Sequence, residues 1–235
     1  MSLVHDEALL LRRSPYGDAD EVVSLLTRSH GKIQALAKHS RASRRRFPGG
    51  LEPLVKFEAA FRQRGGALAF LESAQPLKAW PALLASMDRL ALSWRLLEVA
   101  DLLKESGESL PEFFSAVEEG LNLLSQHENP REACLRAESR LLSLSGWAPR
   151  CDACVSCRKP WPFPGARLSH GEGGLVCRDC GRAGRPLSAS ECQALSRLVS
   201  GDAGPVAGAE AAFLDFLQYQ LGRGLKTIAW EMSLR

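Results

Sequence analysis

No apolar run in the chain approaches the roughly 20 residues needed to span a bilayer, so the sequence offers no membrane-crossing helix. The opening Met1-Ser2-Leu3-Val4-His5-Asp6 lacks the charged and then apolar stretches of a secretory signal, and the protein is expected in the cytoplasm, at the nucleoid. Motifs of several common chemistries are missing too. There is no G-x-x-x-x-G-K-[ST] phosphate loop, no H-E-x-x-H zinc helix and no G-x-S-x-G nucleophile elbow. Asp18, Asp20 and Glu21 lie together at a turn, but without partner acids they do not compose a two-metal nuclease site. The chain therefore reads as non-enzymatic. An even cysteine count is also lacking: seven cysteines do not make a disulfide framework, and in a reducing compartment close pairs read as metal ligands first. No internal repeat or low-complexity tail is visible.

Charge is what the sequence has, and it is unevenly placed. The net value is only +3, yet residues 1–80 carry 13 Lys/Arg against 8 Asp/Glu, while residues 81–150 carry 7 against 11. A positive leading segment followed by an acidic one points to a polyanionic partner for the first.

The first 75 or so residues alternate as strands do. Val55, Phe57, Ala59 and Phe61 share one face and Lys56, Glu58 and Arg62 the other, and Gly65-Gly66 is expected to turn the chain back through Ala67 to Leu71. Two earlier apolar runs flank Gly31 as a hairpin would. Five short strands in one module suit a β-barrel, of which the OB-fold is the commonest five-stranded form. Near Pro81 the period changes to three and four through Leu83, Leu84, Met87, Leu90, Ala91, Trp94 and Leu97, with Pro81 placed for a first helical turn. Ser109 with Glu112 predicts a capping box, Asn129-Pro130 opens a third helix that stops at Gly146, and Ser188 with Glu191 predicts another capping box. A last helix carries Phe213, Phe216 and Leu217 inward. The expected organisation is an α+β chain: an OB-fold over residues 1–80, a helical domain over 81–150 and 187–235, and a cysteine-bearing insert over 151–186.

The insert holds Cys154-Val155-Ser156-Cys157 and Cys177-Arg178-Asp179-Cys180, two C-x2-C pairs with 19 residues between them. Two intervening residues let both thiolates of a tight turn face one ion, and four thiolates fill the tetrahedral shell of zinc with no position left for substrate. A structural Zn2+ is the expected cofactor. Cys151 also forms a C-x2-C pair with Cys154, but that choice stretches the interval to 22 residues. His170 lies between the pairs as an alternative ligand. Arg158, Lys159, Arg178 and Arg182 balance the negative site, and Cys134 and Cys192 fall at apolar helical positions as packed thiols.

Between the third and fourth strands runs Lys38-His39-Ser40-Arg41-Ala42-Ser43-Arg44-Arg45-Arg46, with five permanent positive charges, no acid, and Lys32 just before it. Such charges repel unless an anion lies across them, and arginine forks grip phosphate oxygens in pairs. Lys32, Lys38, Arg41, Arg44, Arg45 and Arg46 are the candidate DNA-binding residues. Phe47, Phe57, Phe61 and Phe70 mostly look inward, so binding is expected to be led by phosphates and nearly indifferent to sequence.

Taken together, several stretches resemble the bacterial recombination mediator family RecO. They are Pro15-Tyr16-Gly17-Asp18-Ala19-Asp20, Leu25-Leu26-Thr27, His30-Gly31-Lys32, Ala35 to Lys38, Arg46-Phe47 and Leu51-Glu52-Pro53. Gly146-Trp147-Ala148-Pro149, the cysteine pairs, Gly173 to Cys177, Leu221-Gly222-Arg223 and Leu225-Lys226 continue the likeness. The resemblance implies an N-terminal OB-fold, a helical C-terminal domain with a zinc-ribbon-like insert, binding of single- and double-stranded DNA, and annealing of complementary strands. It also implies work with RecR and single-strand-binding protein (SSB) in helping to load RecA, without ATP of its own. Arg223 and Lys226 are candidates for the rim of an SSB-tail groove. The chain departs from the pattern at His39 and Arg158, where the family commonly has glycine, and at Cys151, where an aliphatic residue is usual. A zinc-ribbon adaptor that binds protein instead of DNA is the alternative left open by the residues.

Overall fold

The structure is a computed structural model that describes residues 2–63, 68–105, 109–181 and 183–233. The expected Gly65-Gly66 turn and the Arg182 charge lie outside the described residues. The chain divides into two compact units, Met1–Pro130 and Arg131–Arg235.

In the first unit five strands close a barrel: β1 (Leu3–Tyr16), β2 (Asp20–Thr27), β3 (Gly31–Ala37), β4 (Val55–Arg62) and β5 (Leu68–Ala79), in the order β1-β2-β3-β5-β4. This is the five-stranded OB barrel. β1 is long enough to serve two neighbours. Its first half pairs with β4 and its second with β2, with a bulge between Leu10 and Arg12 where the strand bends from one to the other. β3 and β5 run parallel, and every other neighbouring pair is antiparallel. Alternate residues fill the interior, among them Ala8, Leu10, Val23, Leu25, Ile33, Phe57, Phe61 and Leu71.

Leu9 and Leu26, which point the other way, are buried as well. The reason is that part of the barrel's outer surface is covered by α1 (Met87–Leu103) and α2 (Pro111–Gln126), so these strands need apolar residues on both faces. Ion pairs fasten the cover. Asp101 of α1 meets Lys32 at 2.8 Å and Arg12 at 3.4 Å, and it accepts a hydrogen bond from Ser24 Oγ at 2.8 Å. Glu118 of α2 meets Lys56 at 2.9 Å and Arg28 at 3.3 Å.

Two helix starts differ from the sequence reading. Pro81 opens a separate 3-10 turn, Pro81–Leu84, and α1 begins later with Ser86 as its cap. The buried side of α1 runs through Leu92, Leu96, Val99 and Leu103, while Leu84 and Met87 are exposed. The Ser109–Glu112 capping box does not form: Leu110 takes the cap position, Pro111 occupies the first turn, and Ser109 Oγ donates to the Ser29 carbonyl at 2.8 Å. Proline's fixed φ starts the helix there without a side-chain acceptor.

The second unit contains α3 (Pro130–Leu144), a small sheet β6 (Arg167–Ser169), β7 (Gly174–Val176) and β8 (Arg185–Pro186) ordered β7-β6-β8, then α4 (Ala189–Ser200), α5 (Glu210–Gln220) and α6 (Lys226–Ser233). α3 ends in a turn that Gly146 closes at φ 74°, and the Ser188–Glu191 capping box is present at the start of α4. Cys134, Cys192, Leu195, Phe213, Phe216 and Leu217 are fully buried. Ser139 Oγ ties α3 to α4 through the Leu198 carbonyl at 3.1 Å. Among the described residues no helix is long and apolar enough to cross a membrane.

The Asp101 cluster is expected to make the fold acid-sensitive. Burial alone would raise its pKa, but hydrogen bonds from Lys32 and Ser24 and the nearby charges of Lys32 and Arg12 hold it below the ordinary 3.8. Its stabilisation is therefore complete above about pH 4 and is lost as pH falls through the depressed folded value. Asp101→Asn should cost about 2–3 kcal/mol at pH 7, because Lys32 is left facing a neutral amide. It should also flatten the acid limb, both effects being read from urea midpoints between pH 7 and pH 3.

Candidate nucleic-acid interface and metal centre

The segment joining β3 to β4 is not a free loop. It coils through two turns, with Ser43 N–H donating to the His39 carbonyl at 2.8 Å and Phe47 N–H to the Ser43 carbonyl at 3.0 Å. Phe47, immediately after the arginine run, is 1% exposed and belongs to the barrel core with Leu51. The acids of the β1–β2 turn hold the other end. Asp20 accepts from His39 N–H at 2.8 Å and Glu21 from Ser40 Oγ at 2.7 Å, which is the use the structure makes of that acidic cluster. On the β5 side, Ala74 N–H donates to the Arg46 carbonyl at 3.0 Å. His39 stands at φ 53°, in the left-handed region that glycine occupies without strain.

The five loop cations divide by task. Arg41 donates to the Gly17 and Asp18 carbonyls of the β1–β2 turn. Arg46 donates to the Lys38 carbonyl at 2.6 Å and to Ser43 Oγ at 3.3 Å, so both arginines brace backbone as well as carrying charge. Arg44 and Arg45 are exposed. Arg44 lines a concavity of about 730 Å³ together with Arg13, Ser40 and Arg41; Arg45 lines another of about 570 Å³ with Ser43, Arg46 and Arg62. Lys38 stands over the Phe70 ring, its Nζ 5.8 Å from the centroid.

Lys32 is not brought to this cluster. Its side chain is 12% exposed, pairs with Asp101, and donates to the Asp101 and Lys104 carbonyls at 2.5 and 3.2 Å. Its amine is committed to holding α1. Phe70 also departs from the expectation that these rings point inward. Phe47, Phe57 and Phe61 are buried, but Phe70 lies between the inward-facing Ala69 and Leu71 and is only partly buried on the outer face. Arg13 and Arg62 join the basic surface although the loop sequence does not contain them. The signal available for Arg62 was its place on the outward face of β4, next to a strand whose partner could not be read from the sequence.

In the second unit the sulfurs of Cys154, Cys157, Cys177 and Cys180 all lie within 4.8 Å of one another, an arrangement that can hold a metal ion. The Cys157 and Cys177 sulfurs are 3.8 Å apart, the edge of a tetrahedron with bonds of roughly 2.3 Å. Each pair sits on a turn closed by backbone. Arg158 N–H donates to the Cys154 carbonyl at 2.8 Å and Gly181 N–H to the Cys177 carbonyl at 3.1 Å. Cys177 N–H donates to the Cys154 sulfur at 3.3 Å. Burial works against ionising Cys154, but the N–H groups of Cys157, Cys177 and Ser156 draw its thiol down to about 6, well suited to a thiolate ligand. Arg158 takes φ 63°, so the first turn demands the conformation glycine would supply and the arginine adopts it. At Gly174 the demand is steric: a Cβ there would strike the Arg150 carbonyl oxygen, and Leu175 N–H donates to that same carbonyl at 2.8 Å.

The competing ligands lie elsewhere. Burial pushes the Cys151 thiol up to about 12 and Cys192 up to about 11, leaving both as protonated, packed groups. His170 stacks on Tyr219 with ring centroids 5.3 Å apart, and its Nε2 is buried with no hydrogen-bond partner among the described residues.

A five-stranded OB barrel carrying a braced arginine turn stands in one chain with a helical unit bearing a four-cysteine cluster that can hold a metal ion. Residues 1–80 match the family model described as recombination protein O N terminal, and residues 84–228 match recombination protein O C terminal. A DNA repair protein RecO of Anaeromyxobacter sp. (strain K) is 37% identical over 240 residues, covering 96% of this chain and 94% of the relative. Those of Geobacter sulfurreducens and Myxococcus xanthus are each 31% identical, over 84% and 97% of this chain and 81% and 96% of their own lengths. The chain belongs to the RecO family of DNA repair proteins.

Metal analysis of purified variants checks the ligand set. The wild-type chain should retain a metal that Cys177→Ser and Cys180→Ser each lose, whereas Cys151→Ser should keep it. Metal loss in Cys151→Ser with retention in Cys177→Ser would reassign the site.

Proposed function

We propose that the chain is a recombination mediator in DNA repair that binds single- and double-stranded DNA through the β3–β4 turn and anneals complementary strands. One observation carries this reading. Arg44 and Arg45 project from a segment anchored at both ends, and neither has a side-chain hydrogen bond or ion pair among the described residues. Charges carried on an already ordered backbone and left without protein partners bind phosphate at a lower cost in backbone ordering. Lys38, Arg41 and Arg46 add to the same field, which would screen the repulsion between two strands as they meet. Neutralising both strands in this way needs no nucleotide hydrolysis.

Membership in the family supports the wider setting: work with RecR and SSB, and assistance in loading RecA onto SSB-coated strands. Arg223 and Lys226 remain the proposed contacts for an acidic SSB tail. The metal we assign to the four cysteines is zinc. An all-thiolate donor set suits it, and a shell closed by four ligands leaves no place for substrate, so the ion would hold the insert together and do no chemistry on DNA.

The direct test reverses the two unbraced charges. Arg44→Glu with Arg45→Glu should slow annealing of complementary oligonucleotides and weaken strand binding by tenfold or more, with metal content and melting temperature retained. Arg46 is left intact because it also braces the loop. Annealing at the wild-type rate in this double variant would reject the assignment and favour a protein-binding adaptor.

A further inference from the structure

The face of the barrel where β5 is flanked by β3 and β4 carries more than charge. In the strand register Phe70 sits directly between Leu36 of β3 and Arg62 of β4. Its ring is on the outside and only partly covered. Lys38, Arg46 and Arg62 line the same groove, a concavity of about 350 Å³, with Leu36 beside the ring. This volume falls in the range of small-ligand sites. Arg46 and Arg62 also line the adjoining concavity that holds Arg45, so the groove is continuous with the arginine turn. Glu72 contributes a carboxylate, paired with Arg62 at 3.2 Å where both side chains are about two-fifths exposed.

An aromatic face bordered by three cations is the arrangement that receives an unpaired base with its phosphates on either side. A duplex cannot use it, because its base faces are already stacked inside the helix. We infer that this groove is a stacking site for single-stranded nucleic acid, with a base on Phe70 and the flanking phosphates on Lys38 and on Arg46 with Arg62. The inference rests on the phosphate-binding reading of the neighbouring turn and adds to it a preference for unpaired strand. The incoming base takes the position over the ring that Lys38 now occupies, freeing the amine for phosphate. A strand held by one face of its bases keeps its pairing edges open, which is the state annealing requires.

The test uses the full chain and labelled oligothymidine, a matched strand carrying abasic sites, and a duplex. Phe70→Leu keeps an apolar side chain at a partly exposed position and removes the ring. It should weaken oligothymidine binding about 5- to 100-fold, the span expected for one lost base–aromatic contact. Duplex affinity and the salt dependence of binding should stay as in the wild type, the abasic strand should lose far less, and Phe70→Tyr should restore binding. Glu72→Gln should tighten single-strand binding by removing the carboxylate from Arg62. Phe70→Leu binding oligothymidine as tightly as wild type, with the salt dependence intact, would overturn the stacking site and leave the phosphate reading standing. Wild-type binding that does not respond to salt would instead remove the phosphate reading on which the site rests. An acidic peptide that occupies the groove without displacing the strand would give it to a protein partner and overturn the proposal.

Discussion

Burial of Phe47 is the constraint on which the candidate interface depends. Three arginines in a row repel one another and would keep a tethered loop extended and mobile in water. Seating the next residue in the barrel core, 1% exposed, converts that run into a fixed feature of the surface. The carboxylates of Asp20 and Glu21 then hold the opposite end, and Arg41 and Arg46 tie backbone to backbone across it. The conformational cost of presenting charge is thus met mainly by folding, before any ligand arrives. His39 takes a left-handed conformation as part of the same arrangement, which shows how firmly the turn is specified.

The two clusters of side chains in the chain follow opposite logic. At the arginine turn, Arg44 and Arg45 are exposed and make no side-chain ion pair among the described residues. At the four-cysteine cluster, soft donors converge on one point, and backbone N–H groups from Ser156, Cys157 and Cys177 lower the cost of ionising Cys154. The first is open to a polyanion along its length. The second is closed on itself, beside the short strands where Gly174 contacts Arg150.

Local signals were legible in the sequence. Alternation placed Phe57, Ala59 and Phe61 on the inner face of β4, the spacing of the cysteine pairs selected the four sulfurs that converge, and Ser188 with Glu191 marked the start of α4. What the sequence did not show depends on partners far along the chain. Lys32 looks like part of a basic run, but Asp101, 69 residues away, claims it once α1 covers the barrel. Phe70 could not be oriented because strands buried on both faces, such as the Leu9–Leu11 stretch of β1, blur the period-2 pattern that assigns inside and outside. Ser109 and Glu112 carry the letters of a capping box, but Pro111 between them sets the helix start and Ser109 turns to the Ser29 carbonyl. The eight-residue α6 has too short an apolar period to announce itself.

We propose that nucleic acid binds through phosphates on a preformed array of about five cations. The most direct measurement is the affinity of the wild-type chain for a single strand across a salt series. Displacement of counterions from about five phosphates gives a slope of log K against log salt of roughly −3.5, independent of base composition. A slope near zero would contradict the account.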